Sequence, residues 1–208
     1  FDESLVHRGG GLAQPSEPLE NERRYTDAIL THNGELTETK GYCTDVYFSS
    51  AQKFIDEALA LKQPFFAYVA TNAPHDPFHD VPSALYEKYR QRDMSKVQRS
   101  SNPKSLGAKP DVLARTFAMI ENVDQNFGRL LDHLDKRGIA DNTLVIFMTD
   151  NGPLWGRQVA GLRGNKTSVY EGGIRSPLWM RWPGHLDAKT HVKPIAAHID
   201  MLPTICDA

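Results

Sequence analysis

The chain has 208 residues, 40% of them hydrophobic and 24% charged, with 24 Lys and Arg against 26 Asp and Glu. That is enough chain for a full core, and a net charge of -2 offers no basic field to nucleic acid or to an anionic membrane. No stretch reaches the roughly 18 apolar residues that span a bilayer, and Phe1-Asp2-Glu3-Ser4 lacks the basic head and apolar run of a signal peptide.

Gly9-Gly10-Gly11, Pro15, Pro18 and scattered charges without an apolar period predict irregular connecting structure over residues 1–43, ahead of an α/β core over 44–208. From Thr44 or Asp45, both good N-cap types, Val46, Phe48, Ala51, Phe54, Ile55, Ala58, Leu59 and Leu61 recur at helical spacing. After Gln63-Pro64, the run Phe65 to Ala70 has no polar face and predicts a strand buried on both sides of a parallel sheet. A loop with two prolines, Asn72-Ala73-Pro74-His75-Asp76-Pro77, ends it.

A short helix is expected over Ser83 to Arg90, then an exposed polar excursion from Arg92 to Pro110. Asp111 opens the longest periodic segment, with Leu113, Phe117, Ile120, Val123, Phe127, Leu130, Leu131 and Leu134 on one stripe and Gly138 as its stop. Strands are expected over Thr143 to Thr149, Leu178 to Trp182 and Ile195 to Ile199, and a helix begins near Asp200 with Pro203 in its first turn. Helix and strand in alternation predict an α/β domain with a mostly parallel sheet and right-handed crossovers. Cys43 and Cys206 form no CxxC pair and read as buried thiols.

Ligands in open α/β sheets collect beyond the carboxyl ends of the strands, which singles out three clusters. Asp150-Asn151-Gly152 follows a strand and offers a carboxylate and an amide oxygen, a pair suited to a hard divalent cation such as calcium and equally to a tight turn. His75 stands on a loop after another strand, where an imidazole can donate to an anionic oxygen or a leaving group. Gly161 to Pro177 is a glycine-dense loop in which Lys166 supplies a point charge for an anion. It lacks the GK[ST] order of a P-loop. His79, His185, His191 and His198 sit in no motif and read as surface or packing residues.

The order of these clusters, and above all the Lys-x4-Glu-Gly-Gly-x-Arg-x-Pro core from Lys166 to Pro177, resembles the sulfatase family of the alkaline phosphatase superfamily. The resemblance runs through nearly the whole chain, from Phe1-Asp2-Glu3 to Asp200 to Thr204. It implies an alkaline-phosphatase-like fold with helices on both faces of the sheet and an arylsulfatase-type hydrolase acting on a sulfate ester. It further implies Asp150 and Asn151 as ligands of a single calcium, Lys166 and His75 as catalytic sulfate-binding residues, and Glu171, Gly172, Gly173 and Arg175 as keepers of the loop's shape. The family's secreted, periplasmic or lysosomal setting comes with it. Asn165-Lys166-Thr167 fits a glycosylation sequon, yet a glycan there would obstruct the anion site.

The same resemblance defines what is expected elsewhere. The family's formylglycine arises from Cys or Ser in a C/S-x-P/A-x-R setting, and its calcium shell is completed by tandem aspartates. Neither pattern occurs: Cys43 leads into Thr44-Asp45, Ser101-Asn102-Pro103 reaches Ser105 where arginine is needed, and there is no Asp-Asp pair. The expectation is a domain lacking its N-terminal part, inactive and weak in metal binding by itself, with that missing part as its partner. A phosphatase or phosphodiesterase of the same superfamily is the nearest rival, although such two-metal enzymes place Asp-His where Asp150-Asn151 stands. A noncatalytic anion-binding module or pseudoenzyme is the rival from another class.

Overall fold

In the computed structural model, residues 1–8, 16–93, 97, 109–154 and 159–208 are described. Strands β1 (Leu5–Val6), β2 (Ile29–His32) and β3 (Glu35–Glu38) form an antiparallel sheet in which Leu5 faces His32 and Ile29 faces Glu38. The stretch expected to be irregular over 1–43 therefore carries a sheet of its own. Its signal is Asn33-Gly34, both at positive φ, the dipeptide that closes a two-residue hairpin.

Helix α1 (Cys43–Ala60) starts one residue before the expected cap, after Tyr42 in extended conformation. Asp45 does not cap it; its Oδ1 accepts from the amides of Asn122 at 2.9 Å and Asn126 at 2.6 Å on α3 (Pro110–Lys136). This cross-helix demand explains a second departure. The buried face of α3 runs through Leu113, Thr116, Met119, Asn122 and Asn126, while Ile120 of the expected apolar stripe lies exposed. Helix α3 ends at the expected Gly138 and α1 ends in the same way at Lys62, with Gln63 N–H on Ala58 O and Ile139 N–H on Leu134 O closing the last turns around these two residues at positive φ.

Among the described residues two apolar centres result. Tyr25, Ala28, Leu30, Tyr42, Cys43, Tyr47, Ala73 and Met119 join the sheet to α1 and α3, with Leu30 and Cys43 wholly inaccessible. Ile55, Leu134 and Ala140 form the other, with Phe65 and Val145 packed on it. Helix α2 (Ser83–Arg90) lies on α3, Tyr89 stacking on Phe117 at 5.5 Å. The expected excursion from Arg92 to Pro110 falls mostly outside the described residues.

Residues 65–70 depart from expectation. They join no ladder among the described residues; Phe65 and Val69 pack inward, while Phe66 is 56% and Tyr68 75% exposed. A strand is buried on both sides only where elements cover both faces, and here one face is covered.

Strands β4 (Val145–Met148) and β5 (Leu178–Arg181) pair antiparallel, Met148 opposite Leu178. All ladders among the described residues are antiparallel, so the parallel pairings expected from the alternation are not formed within them. The reason lies in the connection. A parallel return needs a crossover that carries the chain back along the sheet, whereas this loop is hydrogen-bonded to the end of β4 and delivers β5 where β4 stopped. Ile195 to Ile199 is no strand: Ile195 is fully exposed, and a 3-10 turn over His198–Asp200 leads into helix α5 (Met201–Asp207) with Pro203 in its first turn. Cys43 is buried as expected, but Cys206 is exposed on α5. No helix among the described residues is long and apolar enough to cross a membrane.

Candidate active site

Beyond Met148 the chain turns at Asp150 and Asn151 and then makes a close backbone approach. Gly152 N–H donates to Gly173 O at 2.8 Å, and Lys166 N–H donates to Pro153 O at 3.0 Å. A Cβ on Gly152 would strike the carbonyl of Gly172, one on Gly172 the carbonyls of Gly164 and Arg163, and one on Gly173 those of Ser168 and Asn165. Main chain thus packs directly on main chain, which only glycine permits. The two sequence clusters, Asp150-Asn151 and Lys166, are brought together by this clasp.

Within the loop, Gly172 N–H donates to Arg163 O at 2.7 Å, and the Ser168 hydroxyl donates to Asn165 O at 2.8 Å. The short helix α4 (Glu171–Ile174) follows, and Glu171 and Arg175 form an ion pair, long at 3.4 Å and exposed on both sides. The Arg163 guanidinium lies 3.7 Å over the Tyr170 ring. Thr167 holds φ at +76°, a left-handed conformation uncommon for a β-branched residue, directly after Lys166.

His75 sits on a second loop, held in another way. His75 N–H donates to Asn72 O at 2.9 Å, and the Ala73–Pro74 and Asp76–Pro77 peptides are cis. The Tyr25 hydroxyl donates to Asp76 O at 2.8 Å. The Asp80 carboxylate accepts from the backbone N–H groups of Tyr25 and Thr26, both at 2.6 Å, and from the Thr26 hydroxyl at 2.8 Å. Arg115 of α3 donates to the carbonyls of Phe78 and His79. Burial beneath this loop pushes the Tyr25 and Tyr47 hydroxyls upward and the Cys43 thiol up to about 12, so all three stay protonated.

The imidazole of His75 is 60% exposed, with Nδ1 2.6 Å from Asp76 Oδ1 and 2.9 Å from Asp76 O. No hydrogen bond or ion pair among the described residues joins His75 to Asp150, Asn151 or Lys166. The histidines outside any motif, His79, His185, His191 and His198, are exposed, and His185 stacks on Trp182. Asp76 and Asp80 were not singled out by the sequence, because their partners are an adjacent ring and residues more than fifty positions away.

The donor set at Asp150 and Asn151 consists of a carboxylate and a carboxamide, the oxygen chemistry a hard divalent cation takes. Among the described residues no three His, Cys, Asp or Glu side chains converge on one metal position. Against a requirement of about six to eight oxygens for calcium, this pair fits as part of a shell and does not form a whole one.

The sequence profile described as Sulfatase matches residues 7–208, and the chain belongs to the sulfatase family. Its relatives include the uncharacterized sulfatase YdeN of Escherichia coli K12, 34% identical over 88% of this chain and 30% of the relative. Human N-acetylglucosamine-6-sulfatase is 28% identical over 91% of this chain and 37% of its own length. The crystal structure of Ps i-CgsB in complex with k-i-k-neocarrahexaose superposes with a TM-score of 0.78 and 28% identity, covering all of this chain and 45% of that one. The fold is the alkaline-phosphatase-like α/β fold of these sulfatases, of which the chain is part of one domain. It spans about a third of the length of these two curated relatives. Membership in the family implies a divalent metal ion in general terms.

Proposed function

We propose that this chain supplies the calcium-ligand and sulfate-binding half of a sulfuric ester hydrolase. The observation that supports this most is the glycine clasp, which holds the Lys166 main chain against Pro153, three residues from Asp150. A carboxylate and an amide oxygen at a strand end, with a lysine on the segment clasped beside them, suit an anion held jointly by a cation and a lysine.

In this reading Asp150 and Asn151 contribute two oxygens to a calcium ion, and the remaining ligands come from outside these 208 residues. When bound, the ion offsets negative charge on the sulfate. Lys166 adds its own positive charge to a peripheral sulfate oxygen, and the clasp spares it the cost of reorganising when substrate arrives. His75 contacts the bridging or a peripheral oxygen and handles its proton. The formylglycine nucleophile also lies outside the 208 residues, since the sequence holds no C/S-x-P/A-x-R motif. The chain alone is then inactive. A sugar sulfate is the substrate class favoured, because relatives are named N-acetylglucosamine-6-sulfatase and endo-4-O-sulfatase.

The test is sulfate-ester hydrolysis by the enzyme that contains this chain, with the matching phosphate ester as control. Lys166→Ala and Asp150→Ala are each expected to lower kcat/KM by about 100-fold or more, the range for removing one charge-stabilising group. Full activity in both variants, or preference for the phosphate ester, would overturn the assignment.

A further inference from the structure

The contacts at His75 Nδ1 carry an inference beyond its contact with sulfate. Both atoms within hydrogen-bond reach, Asp76 Oδ1 at 2.6 Å and Asp76 O at 2.9 Å, are acceptors only. Nδ1 must therefore carry a proton whether the ring is neutral or charged. The Asp76 carbonyl is itself fixed, because the Tyr25 hydroxyl donates to it from the core side at 2.8 Å, using its other lone pair. Tyr25 is in turn fastened at its N–H by the Asp80 carboxylate. Among the described residues the chain of titratable partners runs from Asp76 at the ring, through Tyr25 on the Asp76 carbonyl, to Asp80 on the Tyr25 N–H.

We propose that Asp76 is a positioning residue that locks His75 in the Nδ1–H tautomer, leaving Nε2 as its free nitrogen. The consequence for chemistry rests on the reading of His75 given above. Neutral His75 presents a lone pair at Nε2 and can only accept a proton or a hydrogen bond there. Donation to a sulfate oxygen, or protonation of a leaving oxygen, needs the second proton, on the imidazolium. The same ring thus serves as donor when doubly protonated and as base when singly protonated, always through Nε2. Asp76 keeps the exchange at that atom, as a tautomer-fixing carboxylate does in other acid–base pairs.

The lock is tested by long-range proton–nitrogen correlation spectra of the 15N-labelled chain at a pH where the ring is neutral, His75→Ala identifying its signal among the eight histidines. The expected result is an Nδ1–H pattern for the unaltered chain. Asp76→Asn should move the population toward Nε2–H, because a carboxamide can donate to Nδ1. Asp76→Ala should lie between, since the backbone carbonyl at that position remains. Unchanged amide signals of Tyr25 and Ala73 show that the loop is in place. An Nε2–H pattern in the unaltered chain, or one pattern in all three proteins, overturns the lock. The reading of His75 fails separately. If His75→Ala leaves sulfate-ester turnover in the full enzyme unchanged, the proposed role falls while the tautomer result stands. If the lock holds and the role is right, Asp76→Asn lowers kcat about tenfold with little change in KM.

Discussion

The two loops that bear the candidate site are fastened by opposite means. The Asp150–Arg175 clasp is main chain against main chain, closed by Gly152, Gly172 and Gly173 and by backbone hydrogen bonds. The His75 loop is held through side chains: its own Asp80 accepts from Tyr25 and Thr26, and the Tyr25 hydroxyl and Arg115 of α3 donate to its carbonyls. A clasp of the first kind fails when an atom is added, and an anchorage of the second kind fails when one is removed. Lys166 therefore sits on a part of the molecule intolerant of added side chains. The histidine sits on the part most dependent on them.

The sharpest way to break the contrast is Gly172→Ala. Its new methyl meets two carbonyl groups that cannot turn aside, so about 3 kcal/mol of destabilisation is expected, read by urea unfolding. If Gly172→Ala melts like the unaltered chain, the clasp is looser than its geometry states. Asp80→Ala comes next at about 2 kcal/mol, because it strands the N–H groups of Tyr25 and Thr26. The same substitution should open the core beneath the loop, and Cys43 reports it. With its thiol held up at about 12 from an ordinary 9.0, Cys43 should ignore a thiol reagent near pH 8 while exposed Cys206 reacts. After Asp80→Ala a second thiol should become reactive.

A smaller effect follows from the same buried groups with a definite sign. Cys43, Tyr25, Tyr42 and Tyr47 all hold their protons more tightly folded than unfolded, through burial first of all. Stability is then full below the unfolded values of about 9 to 10 and falls progressively as pH rises above them toward the folded values. Tyrosine absorbance during an alkaline titration should rise together with loss of structure; hydroxyls that ionise in the intact fold would contradict it. Glu171→Gln stands last. The pair with Arg175 is long and exposed at both ends, so its loss should shift stability by about 0.3 kcal/mol.

What the sequence disclosed divides along a similar line. Gly138 as the stop of α3 and Pro203 in the first turn of α5 were legible, because each acts on its own few residues. The family was legible in the Lys166 to Pro177 block, where the glycines serve contacts within one loop. The hairpin at Asn33-Gly34 was readable yet hidden by short strands with mixed faces. Asp45 shares with Thr44 the look of a cap because a helix begins there, and nothing local shows that Asn122 and Asn126 claim its carboxylate. The antiparallel return of β5 escaped for a related reason: strand direction is decided by where a connection is hydrogen-bonded, and those bonds join Gly152 to Gly173 and Pro153 to Lys166. The exposed outer face of 65–70 shows that an apolar run states what it can bury and not what covers it.

Thr167 carries a last implication. A threonine at φ +76° sits in a well it would leave if released, so the loop's shape is imposed by its surroundings before any anion arrives. Lys166 is in this sense pre-organised, and in the proposed role an anion would have little backbone disorder to quench on binding. Amides of the loop from Arg163 to Arg175 should accordingly exchange with solvent at nearly the same slow rate with and without sulfate present.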